Sequence, residues 1–208
     1  MKLLNLLFDS IAEALVKKPI LGTGRHKEAY DIISKSGYVV KKWSPEADDT
    51  VRKEVETTKK HPDLVANIIK YDPVRRIIIQ EKLDTDKLKK EMSLLLFTFD
   101  FEKGGNIKMT QDGISVKKKF PKDKMASIAH HNMYIDYVSK HHPEWGYSFG
   151  AQSPINKETF KDADPSAISL YNKWIDFFKK SASSLGEVDT HLDNLGYDSK
   201  GNIKYLDL

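Results

Sequence analysis

Two carboxylates and an amide, Asp189, Asn194 and Asp207, sit in two short loops within the last twenty residues. Between Asn194 and Asp207 the sequence reads as a strand, a turn at Asp198-Ser199-Lys200-Gly201, and a second strand. A β-hairpin of that length folds its ends back together. Asn194 and Asp207 are therefore expected to meet, with Asp189 close by. Three converging oxygen-bearing side chains suit a hard cation such as Mg²⁺ and a phosphate chain. An ordinary Asp/Asn-rich hairpin turn carries the same residue types, so the rest of the chain has to decide between the two.

The N-terminal half supplies parts of the same chemistry. Leu21-Gly22-Thr23-Gly24 and the residues up to Tyr30 read as strand, Gly-rich turn, strand. Glycines let a backbone approach phosphate oxygens and donate N–H groups with no Cβ in the way. Gly37 to Lys41 is a short apolar strand that ends in lysine. Alternation puts Val39 and Lys41 on one face and Lys42 on the other. From Pro45 to Lys60 the chain is charged, with Val51 and Val55 at helical spacing and a proline at the start. His61-Pro62-Asp63-Leu64-Val65 follows, then strands at Ile68 to Tyr71 and Arg76 to Leu83.

In that order the parts resemble the protein-kinase fold over residues 19–83 and again over 166–208. The resemblance implies an α+β fold of two lobes, an antiparallel sheet first and a reduced, mainly helical part second. It implies ATP and Mg²⁺ as cofactors. Gly22, Thr23, Gly24 and Lys27 would then cover the phosphates. Val39 would touch adenine, and Lys41 would hold the α/β-phosphates. Glu54 would pair with Lys41, with Glu56 as the second choice. Gln80 would stand at the gatekeeper position, and Glu81 to Leu83 would offer backbone groups to adenine. Asp189 would take the catalytic-base position, and Asn194 and Asp207 the two metal-ligand positions.

The departures from that pattern carry information too. Lys27 replaces the third glycine of the phosphate loop, and Glu187-Val188 replaces the His-Arg before the catalytic Asp. Without that Arg an activation-loop phosphate lacks its usual partner. Asp189-x-His191-x-x-Asn194 resembles small-molecule kinases of the aminoglycoside phosphotransferase kind. It also resembles the early serine/threonine protein kinases of T7-like phages. The second likeness covers more of the chain. It includes the Leu-Gly-x-Gly loop leading to Ala29-Tyr30 and the aromatic-rich helix around Trp174, Phe177 and Phe178. It implies Ser/Thr phosphorylation of host proteins, or of the chain itself, in the host cytoplasm. The sequence stops one residue after Asp207, before any activation segment, so the expectation is either a kinase-like chain cut short after the Asp-Phe-Gly position or a minimal kinase-like module.

The expected organisation is an amphipathic helix within 1–18, an N-lobe over 19–83, and a reduced C-lobe over 84–208 that ends in the hairpin at 189–208. Helices are expected near 46–60, 86–96, 122–140 and 166–184. Residues 98–164 show no kinase counterpart. The absence of Cys excludes disulfides and Cys-based zinc and fits a reducing compartment. A formal net charge of +4 is too small and dispersed to argue for nucleic acid. No stretch is long enough to span a membrane. His130, His131, His141 and His142 do not form chelating faces on a helix, and there is no His-Glu-x-x-His. Two other readings stay open: a small-molecule phosphotransferase, suggested by His191, and a pseudokinase that binds a host partner through the fold alone.

Overall fold

The computed structural model describes residues 20–23, 27–31, 37–93, 95, 107–110, 113–116, 122–145, 165–188 and 190–208. The helix expected over 3–17, Gly24 and Asp189 lie outside the described residues. The chain divides into two units, 1–83 with 198–208 and 84–197. Residues 198–208, expected with the C-lobe over 84–208, fall in the first unit.

The first unit is built on five antiparallel strands: β1 (Ile20–Thr23), β2 (Lys27–Asp31), β3 (Tyr38–Trp43), β4 (Ile68–Asp72) and β5 (Ile77–Glu81). Their order in the sheet is β1-β2-β3-β5-β4. β-Branched Ile77, Ile78 and Ile79 dominate β5, and Val39 and Val40 sit on β3; all five side chains are buried. A 3₁₀ turn at Pro45–Ala47 leads into helix α1 (Asp48–Lys60). Asp48 and Asp49 lie in the first turn of α1 and Lys59 and Lys60 in the last, as the helix dipole favours. Val51 and Val55, one turn apart, close on Trp43, Ala47 and Ile78 in a buried cluster. Trp43 stacks on Tyr71 at 5.7 Å between ring centroids and donates its indole N–H to Asp48 at 2.7 Å.

Residues 198–208 belong to this unit because strand β9 (Ile203–Tyr205) docks on the turn after α1. The Ala66 N–H donates to the Tyr205 carbonyl, and the Tyr205 N–H to the Leu64 carbonyl, both at 2.8 Å. Asp198 closes the turn ahead of β9, accepting from the backbone N–H groups of Lys200 (2.9 Å) and Asn202 (2.8 Å). Gly201 takes φ +82° there, a conformation that glycine adopts freely. The turn read from sequence at 198–201 is this one.

The second unit is mainly helical. It contains α2 (Thr85–Ser93), α3 (Lys122–His141), α4 (Pro165–Leu185), the antiparallel pair β6 (Ile107–Thr110) and β7 (Gly113–Val116), and the short strand β8 (Leu195–Tyr197). The Asp84 carboxylate caps α2 by accepting the Lys87 N–H at 2.9 Å. α3 and α4 meet through aromatic rings. His130 lies edge-on to Trp174 at 5.1 Å and to Phe178 at 5.6 Å, and Tyr134 lies edge-on to Phe178 at 5.4 Å. Such pairs add to the burial of the rings themselves. The aromatic residues singled out on α4 are thus core residues. The α+β class, with an antiparallel sheet followed by a mainly helical part, is what the structure has.

His130 carries the acid sensitivity of this core. Burial, then the neighbouring His131 and His191, lower its pKa from 6.5 to about 3. The unfolded chain therefore binds a proton that the folded chain refuses between those two values. Stability is full above pH 6.5 and falls as the pH drops toward 3. At pH 4 the loss is on the order of 3 kcal/mol from this group. Urea unfolding at pH 7 and pH 4 checks this. His130→Phe removes that part of the pH dependence, and an unchanged dependence in the variant contradicts it.

Candidate functional site

Strand register decides which charged side chains of the first unit meet. Lys41 on β3 pairs with Ala29 of β2 and Ile78 of β5, and Lys27 pairs with Trp43. Residues two apart on a strand share a face, so Lys27, Lys41 and Trp43 all project to the side that α1 covers. Lys42 is exposed, as alternation requires, whereas Lys41 is 4% exposed. One turn before Thr58 on α1, Glu54 is buried beside Val55.

Asp207 completes the group. β9, held on residues 64–66, delivers Leu206 and Asp207 to this face. Lys41 Nζ donates to the Leu206 carbonyl at 2.5 Å and to Asp207 Oδ1 at 2.9 Å. Gln80 Nε2 donates to the same Leu206 carbonyl at 3.1 Å and to the Ala66 carbonyl at 3.2 Å. Lys27 Nζ donates to Asp207 Oδ1 at 2.9 Å and also to Glu54 Oε2. Two ammoniums and two carboxylates, from β2, β3, α1 and the residues after β9, thus form one cluster of balanced charge.

Each charge feels its neighbours. Burial works against the Lys27 ammonium, yet Glu54 and Asp207 outweigh it and hold the Lys27 pKa above its ordinary value. Burial raises the Asp207 carboxyl, but Lys41 and then Lys27 prevail and hold it below the usual carboxylate range. Burial pushes Glu54 up, and the two lysines offset only part of that.

The expected pairing of Lys41 with Glu54 is not the contact made. Glu54 takes its hydrogen bond from Lys27, and Lys41 reaches Asp207 and Leu206 instead. The reason is register: Lys27 shares the face of Lys41, a consequence of the β2–β3 pairing that strand periodicity within β3 alone does not reveal. The sequence alone places Lys27 only in the phosphate loop, where it replaces the third glycine.

The remaining residues singled out in the sequence fall as follows. Gly22 and Thr23 lie on β1, opposite Ala29 and Glu28 of β2. Val39 is buried on β3, and Leu83 is buried just after β5. The backbone N–H of Glu81 donates to the Asn67 carbonyl at 2.9 Å. Its carboxylate accepts from Asn67 Nδ2 and from Lys204 Nζ, both at 3.0 Å. Asn194 ends a 3₁₀ turn (Leu192–Asn194) in the second unit, where its N–H donates to the His191 carbonyl at 2.8 Å.

Lys204 was not anticipated. It is 4% exposed and bridges Glu81 at 3.0 Å and Asp198 at 3.6 Å. This fastens the strand that carries Asp207 to the end of β5. Both carboxylates keep other hydrogen bonds, so Lys204→Met is expected to cost about 3 kcal/mol, the low end for breaking a buried ion pair. Chemical denaturation measures it, and a change below about 0.5 kcal/mol, ordinary for a surface site, contradicts the role.

The chemistry of the oxygen donors fits a hard cation. Oδ2 of Asp207 has no partner among the described residues, and the side chain is 38% exposed. Glu54 Oε1 is buried without a hydrogen-bond partner. Among the described residues no three His, Cys, Asp or Glu side chains gather to form a metal cage. Mg²⁺ needs no such cage: one or two carboxylates, waters and substrate phosphates suffice. Asp207 therefore suits it as a protein ligand within the first unit. Among the described residues no helix is long and apolar enough to cross a membrane.

No known protein family matches the sequence, and no curated protein matches it either. Among solved structures the chain is similar to choline kinase LicA from Streptococcus pneumoniae, at 13% identity and a TM-score of 0.34, covering 100% of this chain and 68% of that one. It is also similar to the streptomycin-ATP-APH(2")-IIa ternary complex, at 12% identity and a TM-score of 0.35, covering 95% of this chain and 69% of that one. Both likenesses are distant.

Proposed function

We propose that this chain is an ATP-dependent phosphotransferase built on the protein-kinase plan. The observation that carries the reading is the meeting of Lys27, Lys41, Glu54 and Asp207. Asp207 lies about 150 residues beyond the other three, and together they give two cations and an oxygen ligand at one point. The strand order β1-β2-β3-β5-β4, with α1 between β3 and β4, agrees with it.

In this reading Lys41 grips the α/β-phosphates, and Lys27, the first residue of β2, adds a second cation. Asp207 would hold Mg²⁺, and the sequence resemblance assigns the other metal-ligand position to Asn194. When bound, the ion neutralises charge that develops on the transferred phosphoryl group. Val39 packs on the adenine, and Glu81 and Leu83 offer their backbone edge to it. Among the described residues the Leu83 N–H has no partner, which suits that role. Asp189 orients the acceptor hydroxyl and takes its proton as the acceptor oxygen bonds to the γ-phosphorus and the bond from that phosphorus to the bridging oxygen breaks, with ADP leaving. The acceptor is a Ser or Thr hydroxyl on a protein, following the sequence resemblance to phage kinases. Asp189-x-His191 favours the second reading, transfer to a small-molecule hydroxyl.

Incubation with γ-labelled ATP, Mg²⁺ and a cell lysate, beside an Asp207→Ala control, tests both. Asp207-dependent label on protein supports the first acceptor, and such label on small solutes supports the second. Absence of Asp207-dependent label in either fraction rejects phosphotransfer and leaves a non-catalytic binding protein.

A further inference from the structure

The double engagement of Asp207 Oδ1 has a consequence for how a cation binds. Two lysines donate to this one oxygen, each at 2.9 Å. Each has a second anchor, and the anchors differ. Lys41 holds the neutral carbonyl of Leu206. Lys27 holds the carboxylate of Glu54, whose side chain is 1% exposed. Lys27 can therefore leave Asp207 and remain charge-paired, whereas Lys41 cannot.

We propose that Lys27 is a resident cation of the site, standing on Asp207 in place of a divalent metal and yielding that oxygen when the metal arrives. The inference rests on the phosphotransfer reading for its purpose but not for its chemistry. A carboxylate that gives up an ammonium and gains a divalent ion exchanges one partner for a stronger one. Lys27 stays tethered to Glu54, so its charge remains near the phosphates. Glu54 is then a positioning residue that keeps the displaced lysine in place. The usual result of removing a cation beside a carboxylate is a loss of local order. Competition predicts the opposite sign for metal affinity: without Lys27, the free protein binds the ion more tightly.

Mn²⁺ alone serves as the probe, with free ion read by its paramagnetic resonance signal and no nucleotide present. Lys27→Met leaves Glu54 as an unpaired buried carboxylate, which threatens the fold. The double variant Lys27→Met/Glu54→Gln removes both charges and avoids that. The double variant is expected to bind Mn²⁺ at least threefold more tightly than the natural chain. Lys27→Arg, which keeps the charge, is expected to lie within twofold of it, and Asp207→Asn to lose the site. An unchanged or weaker affinity in the double variant overturns the proposal. So does binding that survives Asp207→Asn, or no Mn²⁺ binding by the natural chain. Because this titration involves neither ATP nor an acceptor, the competition can fail while phosphotransfer stands. Label transfer can equally fail while the competition stands.

Discussion

Asp207→Asn is expected to lower phosphoryl transfer by on the order of 10³-fold, the largest functional effect of any single change in this chain. The substitution keeps the shape and removes the charge. A neutral amide oxygen offers a divalent ion less than a charged carboxylate does at this position. It also leaves Lys27 and Lys41, both beside Oδ1, without the anion between them. Loss of one preorganised electrostatic group in a site of this kind costs about 3–4 kcal/mol in the barrier. The folded state suffers less. Lys27 keeps Glu54, Lys41 keeps the Leu206 carbonyl, and Asp207 is partly exposed to water. A thermal melt beside the rate measurement separates the two effects. Retained activity, or a loss explained wholly by unfolding, contradicts the assignment.

Trp174→Ala is expected to give the largest loss of stability, about 3–5 kcal/mol. Trp174 is fully buried on α4 and touches the rings of His130, Phe177 and Phe178 at centroid distances of 5.1, 5.9 and 5.6 Å. Removing the indole leaves a cavity that three rigid rings cannot collapse to fill. The indole N–H is buried without a partner. Trp174→Phe therefore deletes an unsatisfied donor along with some volume, and is expected to cost under about 1.5 kcal/mol. Urea unfolding of the two variants measures the gap between them, and equal costs contradict this account of the core.

What the sequence revealed of the first unit came through periodicity and turns. Val51 and Val55 at helical spacing marked α1, and alternation put Lys41 inside and Lys42 outside. The Asp198–Gly201 turn was legible because Asp and Gly each have a local physical reason to be there. Two kinds of feature were not legible. Lys27's contact with Glu54 depends on the register between two strands, which is set by a turn and by packing on α1 rather than by the residues of either strand alone. Nothing in the sequence sets Lys204 apart from the other lysines of the chain. Its burial follows from the backbone pairing of Tyr205 with Leu64 and Ala66, a contact between segments about 140 residues apart. The convergence of Asn194 with Asp207 and the base role of Asp189 stay within the proposal, since Asp189 lies outside the described residues and Asn194 belongs to the second unit.

The most direct measurement is the calorimetric titration of ATP with Mg²⁺ into the natural chain and into Lys41→Met. If Lys41 and Asp207 form the phosphate site, the natural chain binds and the variant binds at least tenfold more weakly while unfolding at a similar temperature. Equal affinity in the two proteins, or no binding by the natural chain, contradicts the account.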